Sequence, residues 1–235
     1  MNTHVKALEV DKILERLQNH AVSQQAKDKL AQLSPFLSEQ QCVDKMEETT
    51  AARQMLDAGV KIIQYRDKER KTGVMYEECK AIREMTRKAG ACFIINDFSE
   101  IARLVDADGV HIGQEDLPVA EMRKLIGPEM ILGLSTHSPE QADAAVQSGV
   151  VDYIGVGPLY PTNTKKDVCE AVGLEYLDYV VKTHDIPFVA IGGVKTHNIP
   201  DVAAHGAKLF CLVSAIVGAD DIAAAVREIR KAIHG

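Results

Sequence analysis

From residue 60 onward, the chain alternates short apolar segments with longer amphipathic ones. Each apolar segment is rich in β-branched residues and ends in polar residues or glycine, and each amphipathic segment has helical spacing. The apolar segments cover residues 60–66, 91–97, 108–113, 130–136, 152–158, 186–193 and 208–215. Because these segments are apolar almost throughout, we expect strands buried on both faces, as in a parallel sheet covered by helices.

Seven strand–helix units with short links favour an α/β fold of the TIM (β/α)8 barrel type over an open doubly wound sheet. The polar residues decide between the two, because they follow the carboxyl ends of the strands. They are Arg66, Lys68, Asn96, Asp97, Asp116, Ser135, Thr162 to Lys165, Gly193 and Ser214. In a barrel these strand ends converge on one face, where active sites are built. The sequence therefore predicts a functional site on that face.

Residues 1–57 do not follow this pattern and are predicted to form polar helices. We expect a helical N-terminal segment at 1–57, which replaces the first strand, and a barrel domain at 58–235. The nearest strand candidate is 33–40, and Pro35 makes it a poor one. A barrel without this strand has two unpaired edges, so we expect the N-terminal helices or a partner chain to cover the gap.

Composition narrows the class of protein. The 235 residues carry a net charge of -7, which argues against a general nucleic-acid or membrane-surface binder. No apolar run approaches the roughly 20 residues that span a bilayer, and the N-terminus is too polar for a secretory signal. Five cysteines without CxxC spacing indicate buried thiols rather than a zinc site. We expect a cytoplasmic protein.

Asn96, Asp97 and Asp116 follow two neighbouring predicted strands. Such oxygen ligands suit Mg²⁺, which is usually held by one or two carboxylates together with substrate phosphate. Alternatively, each aspartate caps the helix that follows it. Because both aspartates lie at carboxyl ends of strands, we favour a metal site.

Gln64, Arg66 and Lys68 alternate along one strand and should lie on the same side of it. An arginine fork and a lysine point charge together suit a diphosphate. The alternative is a solvated strand end whose cations pair with Glu69.

Two further motifs indicate phosphate binding. The loop at 157–166 contains Thr162, Asn163, Thr164 and Lys165, although its composition also fits a surface turn. The last two strands end at Gly193 and at Val213–Ser214, where phosphate sites of barrels usually form. For His111, within a strand, we expect a packing or hydrogen-bonded role, and His137 should shape a loop.

In order and spacing, these motifs resemble the thiamine-phosphate synthase family over roughly residues 56–235. They are QYRDK, IINDF, DGVHIGQEDLP, GLSTHS, GPLYPTNTKKD, VAIGGV and VSAI. The resemblance implies a Mg²⁺-dependent transferase that joins a pyrimidine diphosphate to a thiazole phosphate. Pyrophosphate would leave first, and the thiazole nitrogen would then capture the pyrimidine-methyl cation.

The resemblance also implies a role for each matched residue. The pyrimidine diphosphate would be held by Gln64, Arg66, Lys68, Asn96, Ser135 and Lys165. The thiazole phosphate would be held by Thr162, Asn163, Thr164, Gly193, Val213 and Ser214. Asp97 and Asp116 would hold Mg²⁺. The residues expected to act in catalysis are Arg66, Lys68, Ser135 and Lys165.

Other functions have less support. The related thiazole tautomerase has no need of the full set of diphosphate ligands. Residues 1–57 weakly resemble the start of a MutS-like ATPase subfamily, but no GxxxxGK[ST] motif accompanies them. The main alternative is an inactive fusion or interaction protein in which the barrel is a scaffold. We expect small-molecule substrates, neither nucleic acid nor membrane as a partner, and a homodimer as one way to close the barrel.

Overall fold

The computed structural model describes residues 40–43, 48–162 and 169–234. Eight parallel strands form a closed barrel in which each strand pairs with its neighbours in chain order. The strands are Gln40–Val43 (β1), Ile62–Tyr65 (β2), Cys92–Asn96 (β3), Gly109–Ile112 (β4), Ile131–Thr136 (β5), Tyr153–Val156 (β6), Phe188–Ile191 (β7) and Phe210–Leu212 (β8). The prediction of a TIM-type barrel is confirmed.

Helices surround the barrel. Those within the described residues are Glu48–Asp57 (α1), Thr72–Ala89 (α2), Ser99–Leu104 (α3), Val119–Ile126 (α4), Pro139–Ser148 (α5), Gly173–Thr183 (α6), Ile199–Ala204 (α7), Ser214–Val217 (α8) and Ile222–His234 (α9). Gly90 and Gly149 end α2 and α5 in the left-handed conformation, as expected of a glycine C-cap. No described helix combines the length and the apolar character needed to cross a membrane.

The expected gap at the first strand is a wrong prediction. Residues 40–43 run beside β2 in register from Gln40 with Ile62 to Val43 with Tyr65, and beside β8 from Gln40 with Cys211. Local sequence did not indicate this strand because it is short and begins with two glutamines. Backbone pairing on both sides replaces the apolar pattern that marks the other strands.

The barrel therefore begins before the boundary expected at residue 57. Both β1 and α1 lie within residues 1–57, and together they form the first strand–helix unit. The closed ring of strands needs neither helical cover nor a partner chain at this edge. The polar helices predicted before residue 40, and all but the last residue of the strand candidate over 33–40, lie outside the described residues.

Alternation along the strands creates two apolar regions. One residue set faces the helices, and Tyr65, Phe93 and Phe210 are its largest buried side chains. The other set fills the barrel interior and includes Ile62, Ile94, Ile131, Tyr153 and Cys211. Because successive side chains point to opposite faces, Gln64 and Asn96 share the interior face with Ile62 and Ile94, nearer the carboxyl ends.

At the amino-terminal end of the barrel, two aspartates each join a strand to a helix. Asp108 accepts hydrogen bonds from the Phe93 backbone N–H at 2.9 Å and from Arg83 of α2 at 2.6 Å. Asp152 accepts them from the Leu132 backbone N–H at 2.7 Å and from Arg123 of α4 at 2.6 Å. These contacts fix the helices to the barrel at the end opposite the polar strand termini.

Candidate active site

A cavity of about 900 Å³ opens at the carboxyl ends of the strands. Eight residues predicted to belong to the site line it: Arg66, Lys68, Asp116, Ser135, Thr162, Gly193, Val213 and Ser214. Gln64 and Asn96 are instead buried in the barrel interior, and Asp97 lies beside the cavity, where it contacts Lys68. Asn163, Thr164 and Lys165 lie outside the described residues. The structure thus gathers these eight residues around one cavity, whereas Gln64, Asn96 and Asp97 do not line it.

The two aspartates of the predicted metal site lie next to each other. Burial and the neighbouring Asp116 carboxylate raise the pKa of Asp97, and the Lys68 ammonium partly offsets this rise. The Lys68 Nζ atom lies 3.2 Å from Asp97 Oδ2. Asp116 Oδ2 accepts a hydrogen bond of 2.7 Å from the Gly113 backbone N–H, which fixes the carboxylate at the cavity wall.

Neither aspartate caps the helix that follows it. Phe98 and Pro118 occupy the N-cap positions of α3 and α4, and neither helix has a side-chain cap hydrogen bond. Asp97 adopts a φ of 64°, a left-handed conformation that is uncommon for residues other than glycine. Residues held in this region are often found at functional sites, and in this conformation the Asp97 carboxylate lies beside Lys68 and Asp116.

The loop after β2 carries the cationic residues and is held in place by hydrogen bonds to two carboxylates. The Asp67 carboxylate accepts hydrogen bonds from the backbone N–H groups of Glu69 and Arg70, at 2.7 and 2.9 Å. Glu78 of α2 accepts hydrogen bonds from Arg70 and from the Tyr65 hydroxyl. Arg66 and Lys68 therefore reach the cavity from a loop that Tyr65 and Asp67 hold in place, and Asp67 itself also lines the cavity.

Glycine is required where the last strands end. Gly192 and Gly193 have φ values of 86° and 68°, and a Cβ atom on Gly193 would lie 2.6 Å from Tyr160 Cβ. The turn after β7 can therefore press against the segment at 158–160, and the Tyr160 backbone N–H donates to Gly192 O at 3.0 Å. Gly193 lines the cavity together with Val213 and Ser214, which follow β8.

Both histidines have the structural roles expected from the sequence. His111 is buried in the barrel interior, where its ring nitrogens contact Tyr153 and Ser135. His137 hydrogen-bonds through Nδ1 to the Gly157 carbonyl, and its backbone N–H donates to Gln141 Oε1. The second histidine therefore joins the loops that follow β5 and β6.

A family model described as thiamine monophosphate synthase matches residues 34–216 of this chain. The chain belongs to the thiamine monophosphate synthase family. Proteins named thiamine-phosphate synthase are transferases of thiamine biosynthesis, so the prediction of an enzyme is confirmed. The match begins before β1, which agrees with a barrel that starts earlier than residue 58.

Thiamine monophosphate synthase relatives are similar over most of the chain. A thiamine-phosphate synthase of Pelotomaculum thermopropionicum is 62% identical over 180 residues, which cover 77% of this chain and 82% of the relative. One of Lawsonia intracellularis is 58% identical and covers 77% and 83%. A solved thiamine phosphate pyrophosphorylase from Pyrococcus furiosus, at 36% identity, has a TM-score of 0.77 and covers 84% of this chain and 96% of its own.

Several residues at this synthase-family site were not anticipated. Arg70, Gln114 and Lys195 line the cavity, and Gln114 Nε2 donates to the Ser135 carbonyl at 2.6 Å. Lys195 lies two residues after Gly193, so its position beyond the end of β7 could have identified it as a site residue. Arg70 gave no such signal, because its role depends on its pairing with Asp67 and Glu78.

Proposed function

We propose that the chain joins 4-amino-2-methyl-5-(diphosphooxymethyl)pyrimidine to 4-methyl-5-(2-phosphooxyethyl)thiazole, giving thiamine phosphate and pyrophosphate. The observation that carries this proposal is the distribution of charge around one cavity. Cations and carboxylates occupy the wall formed by the loops after β2 and β4, and Asp97 at the end of β3 lies beside that wall. A glycine turn and a helix start lie on the wall formed after β7 and β8. Two phosphorylated substrates would thus have separate places.

The first wall suits a diphosphate. Arg66 and Lys68 emerge from one anchored loop and offer a planar fork and a point charge, the pair of donors that phosphate oxygens accept. Ser135 lies on the neighbouring wall and adds a hydroxyl. Gln64 and Asn96 lie deeper, on the interior face of the barrel, where amides could contact the aminopyrimidine ring. Lys165, by family resemblance, would complete this set.

The second wall suits a phosphate monoester. Gly193 exposes backbone at a position where a side chain would clash, and Ser214 contributes a hydroxyl at the start of α8. Lys195, on the same wall, supplies a positive charge. Thr162 also lines the cavity, and Asn163 and Thr164 would extend the site by family resemblance. The thiazole phosphate would bind here.

The aspartates fit Mg²⁺. Asp97 and Asp116 are near enough for one charge to raise the pKa of the other, which is the arrangement that a divalent cation relieves. Among the described residues, no group of three His, Cys, Asp or Glu side chains could hold a metal. Mg²⁺ commonly takes only one or two carboxylates together with water and substrate phosphate, so two suffice. When bound there, Mg²⁺ would supply charge neutralisation for the leaving pyrophosphate.

The chain's own residues would act by position and charge. The bond between the pyrimidine methylene and the diphosphate oxygen breaks, and its electron pair departs with pyrophosphate. The thiazole nitrogen then donates its lone pair to the methylene carbon. Arg66 and Lys68 would stabilise the charge that develops on the departing group, and the two walls would hold the reactants in line. The scheme needs neither a nucleophile nor a base from the protein.

Two other predictions remain open to test. Cytoplasmic localisation stays a prediction, and so does the homodimer, although the closed barrel no longer requires a partner. A second candidate function, an inactive scaffold, has no specific observation in its favour within the described residues.

A turnover assay tests the proposal. The purified full chain, with both phosphorylated substrates and MgCl2, should form thiamine phosphate and pyrophosphate in equal amounts. Arg66→Ala should lower kcat by about 10²–10³-fold, the usual cost of removing one preorganised donor from a developing charge. The melting temperature should change little, because Arg66 lines the cavity.

Arg87→Ala is the matched control. Arg87 is an exposed arginine of α2 that pairs with Asp106, away from the cavity. It should retain the wild-type kcat. A folded wild-type chain that forms no product would favour the scaffold, and an unchanged kcat in Arg66→Ala would remove Arg66 from the mechanism.

A further inference from the structure

Three side chains form a continuous hydrogen-bonded row across the barrel interior. The Tyr153 hydroxyl lies 2.9 Å from His111 Nδ1, and the Ser135 hydroxyl lies 2.9 Å from His111 Nε2. They come from β6, β4 and β5, so the row crosses three adjacent strands. Only Ser135 lines the cavity, while Tyr153 and His111 are each 8% exposed. The row thus connects a buried tyrosine to a hydroxyl at the substrate site.

The barrel makes room for these rings. Gly133 of β5 shares the interior face with Ser135, and a Cβ atom there would lie 2.2 Å from Tyr153 Cζ and 2.5 Å from His111 Nδ1. Any larger residue at 133 would displace the tyrosine or the histidine, because buried side chains pack closely. The ring centroids of His111 and Tyr153 are 5.4 Å apart, so both rings are held by contact as well as by hydrogen bonds.

Ser135 is restrained from a second direction. Gln114 Nε2 donates a hydrogen bond of 2.6 Å to the Ser135 carbonyl. The backbone of Ser135 is also paired with Gly155 of β6. With the backbone fixed, the orientation of the hydroxyl depends on the bond to His111.

Hydrogen-bond chemistry gives the row a direction. A neutral imidazole has one donor nitrogen and one acceptor nitrogen, whereas each hydroxyl can both donate and accept. A diphosphate offers only acceptors to Ser135, so the Ser135 proton must point into the cavity. Ser135 Oγ then accepts from His111 Nε2–H, and His111 Nδ1 accepts from the Tyr153 hydroxyl.

We infer that His111, supported by Tyr153, is a positioning residue that directs the Ser135 hydroxyl toward the leaving diphosphate. This inference rests on the proposed function, since it assumes a diphosphate beside Ser135. His111 itself would not touch the substrate. Its effect would appear in kcat more than in KM, because charge on the diphosphate increases as the bond breaks.

The test is a double-mutant cycle on the full chain. His111→Leu, which keeps a similar volume, should lower kcat by about 10²-fold, the typical cost of a misplaced group. Ser135→Ala should lower kcat by a similar factor. The His111→Leu, Ser135→Ala double variant should be no slower than Ser135→Ala alone, because His111 acts only through that hydroxyl.

Two further variants separate positioning from packing. His111→Gln, whose amide can still donate toward Ser135, should recover part of the kcat lost in His111→Leu. Tyr153→Phe should lower kcat by roughly fivefold, as for one hydrogen bond, even if His111→Leu proves difficult to fold. The matched control is Tyr176→Phe, which removes a buried hydroxyl bonded at 2.7 Å to Thr136, the neighbour of Ser135 on the outer face. It should retain kcat.

The outcomes distinguish the two proposals. No product from the wild-type chain would overturn the proposed function. The wild type could instead be active while His111→Leu lowers kcat by the same factor with and without the Ser135→Ala substitution. That result would overturn the positioning role and leave the proposed function standing. Wild-type kcat in both His111→Leu and Tyr153→Phe would overturn it as well.

Discussion

The two ends of the barrel use aspartates in opposite ways. At the amino-terminal end, Asp108 and Asp152 each accept a hydrogen bond from a strand N–H group and form an ion pair with a helix arginine. At the carboxyl-terminal end, Asp97 and Asp116 face each other, with Lys68 as the cation beside them. The same residue type thus stabilises the fold at one end and faces a like charge at the other.

The difference follows from what each end must hold. Arg83 and Arg123 project from α2 and α4. Each pairs with an aspartate that directly precedes a strand, β4 or β6, so each ion pair fixes a helix to a neighbouring strand. The carboxyl-terminal end must instead receive a charged ligand that arrives from solution. Carboxylates held in buried ion pairs with arginine would have little capacity left to bind a metal ion.

The amino-terminal end should show the largest effect on stability. Asp152→Ala should lower the free energy of unfolding by about 3–5 kcal/mol, because it leaves a largely buried guanidinium and a strand N–H without their acceptor. The kcat of the folded fraction should be unchanged, since Asp152 lies at the end of the barrel away from the cavity. Urea unfolding, with turnover measured in parallel, checks both expectations.

Glu121→Ala is the control for this variant. Glu121 forms an ion pair of 2.7 Å with Lys124, so its geometry resembles that of Asp152, but both side chains are exposed. Its removal should cost less than about 1 kcal/mol. If the two variants were equally destabilised, burial would not be what separates Asp152 from a surface ion pair.

Much of the barrel could be predicted from local pattern alone. Strands β2 to β8 all fall within the predicted apolar segments, because a strand buried on both faces leaves a signal in its own sequence. The position of the site, at the carboxyl ends of the strands, was also predictable. Residues such as Arg66, Asp116 and Ser214 follow strand ends, and in a parallel barrel all such ends share one face.

The rest depended on partners distant in the chain. The strand at Gln40–Val43 is defined by pairing with β2 and β8, and its own residues give little sign of it. The ion pair of Arg83 with Asp108 and the row from Tyr153 to Ser135 join residues 24 or more positions apart. Sequence showed these residues separately, but only the closed barrel determines which of them meet.

Replacing an aspartate at the carboxyl-terminal end should have a smaller effect of the opposite sign on the free energy of unfolding. The pKa of Asp97 is raised above its ordinary value of 3.8, so its charged form is disfavoured in the folded protein. As pH rises from 3.8 through the folded-state pKa, the unfolded chain loses its proton first, and the stability contributed by this group falls. Asp97→Asn removes that penalty. Its free energy of unfolding should exceed that of the wild type by up to about 1 kcal/mol at neutral pH.

Unfolding measured at several pH values, with and without Mg²⁺, separates the causes of this effect. The advantage of Asp97→Asn should shrink toward pH 3.8, where the wild-type carboxyl is itself protonated. Mg²⁺ should stabilise the wild type more than the variant, because binding to the folded state alone raises its stability. A variant less stable than the wild type at neutral pH would mean that the Lys68 ion pair outweighs the repulsion from Asp116. The carboxyl-terminal aspartates would then resemble the amino-terminal ones, and the contrast between the two ends would fail.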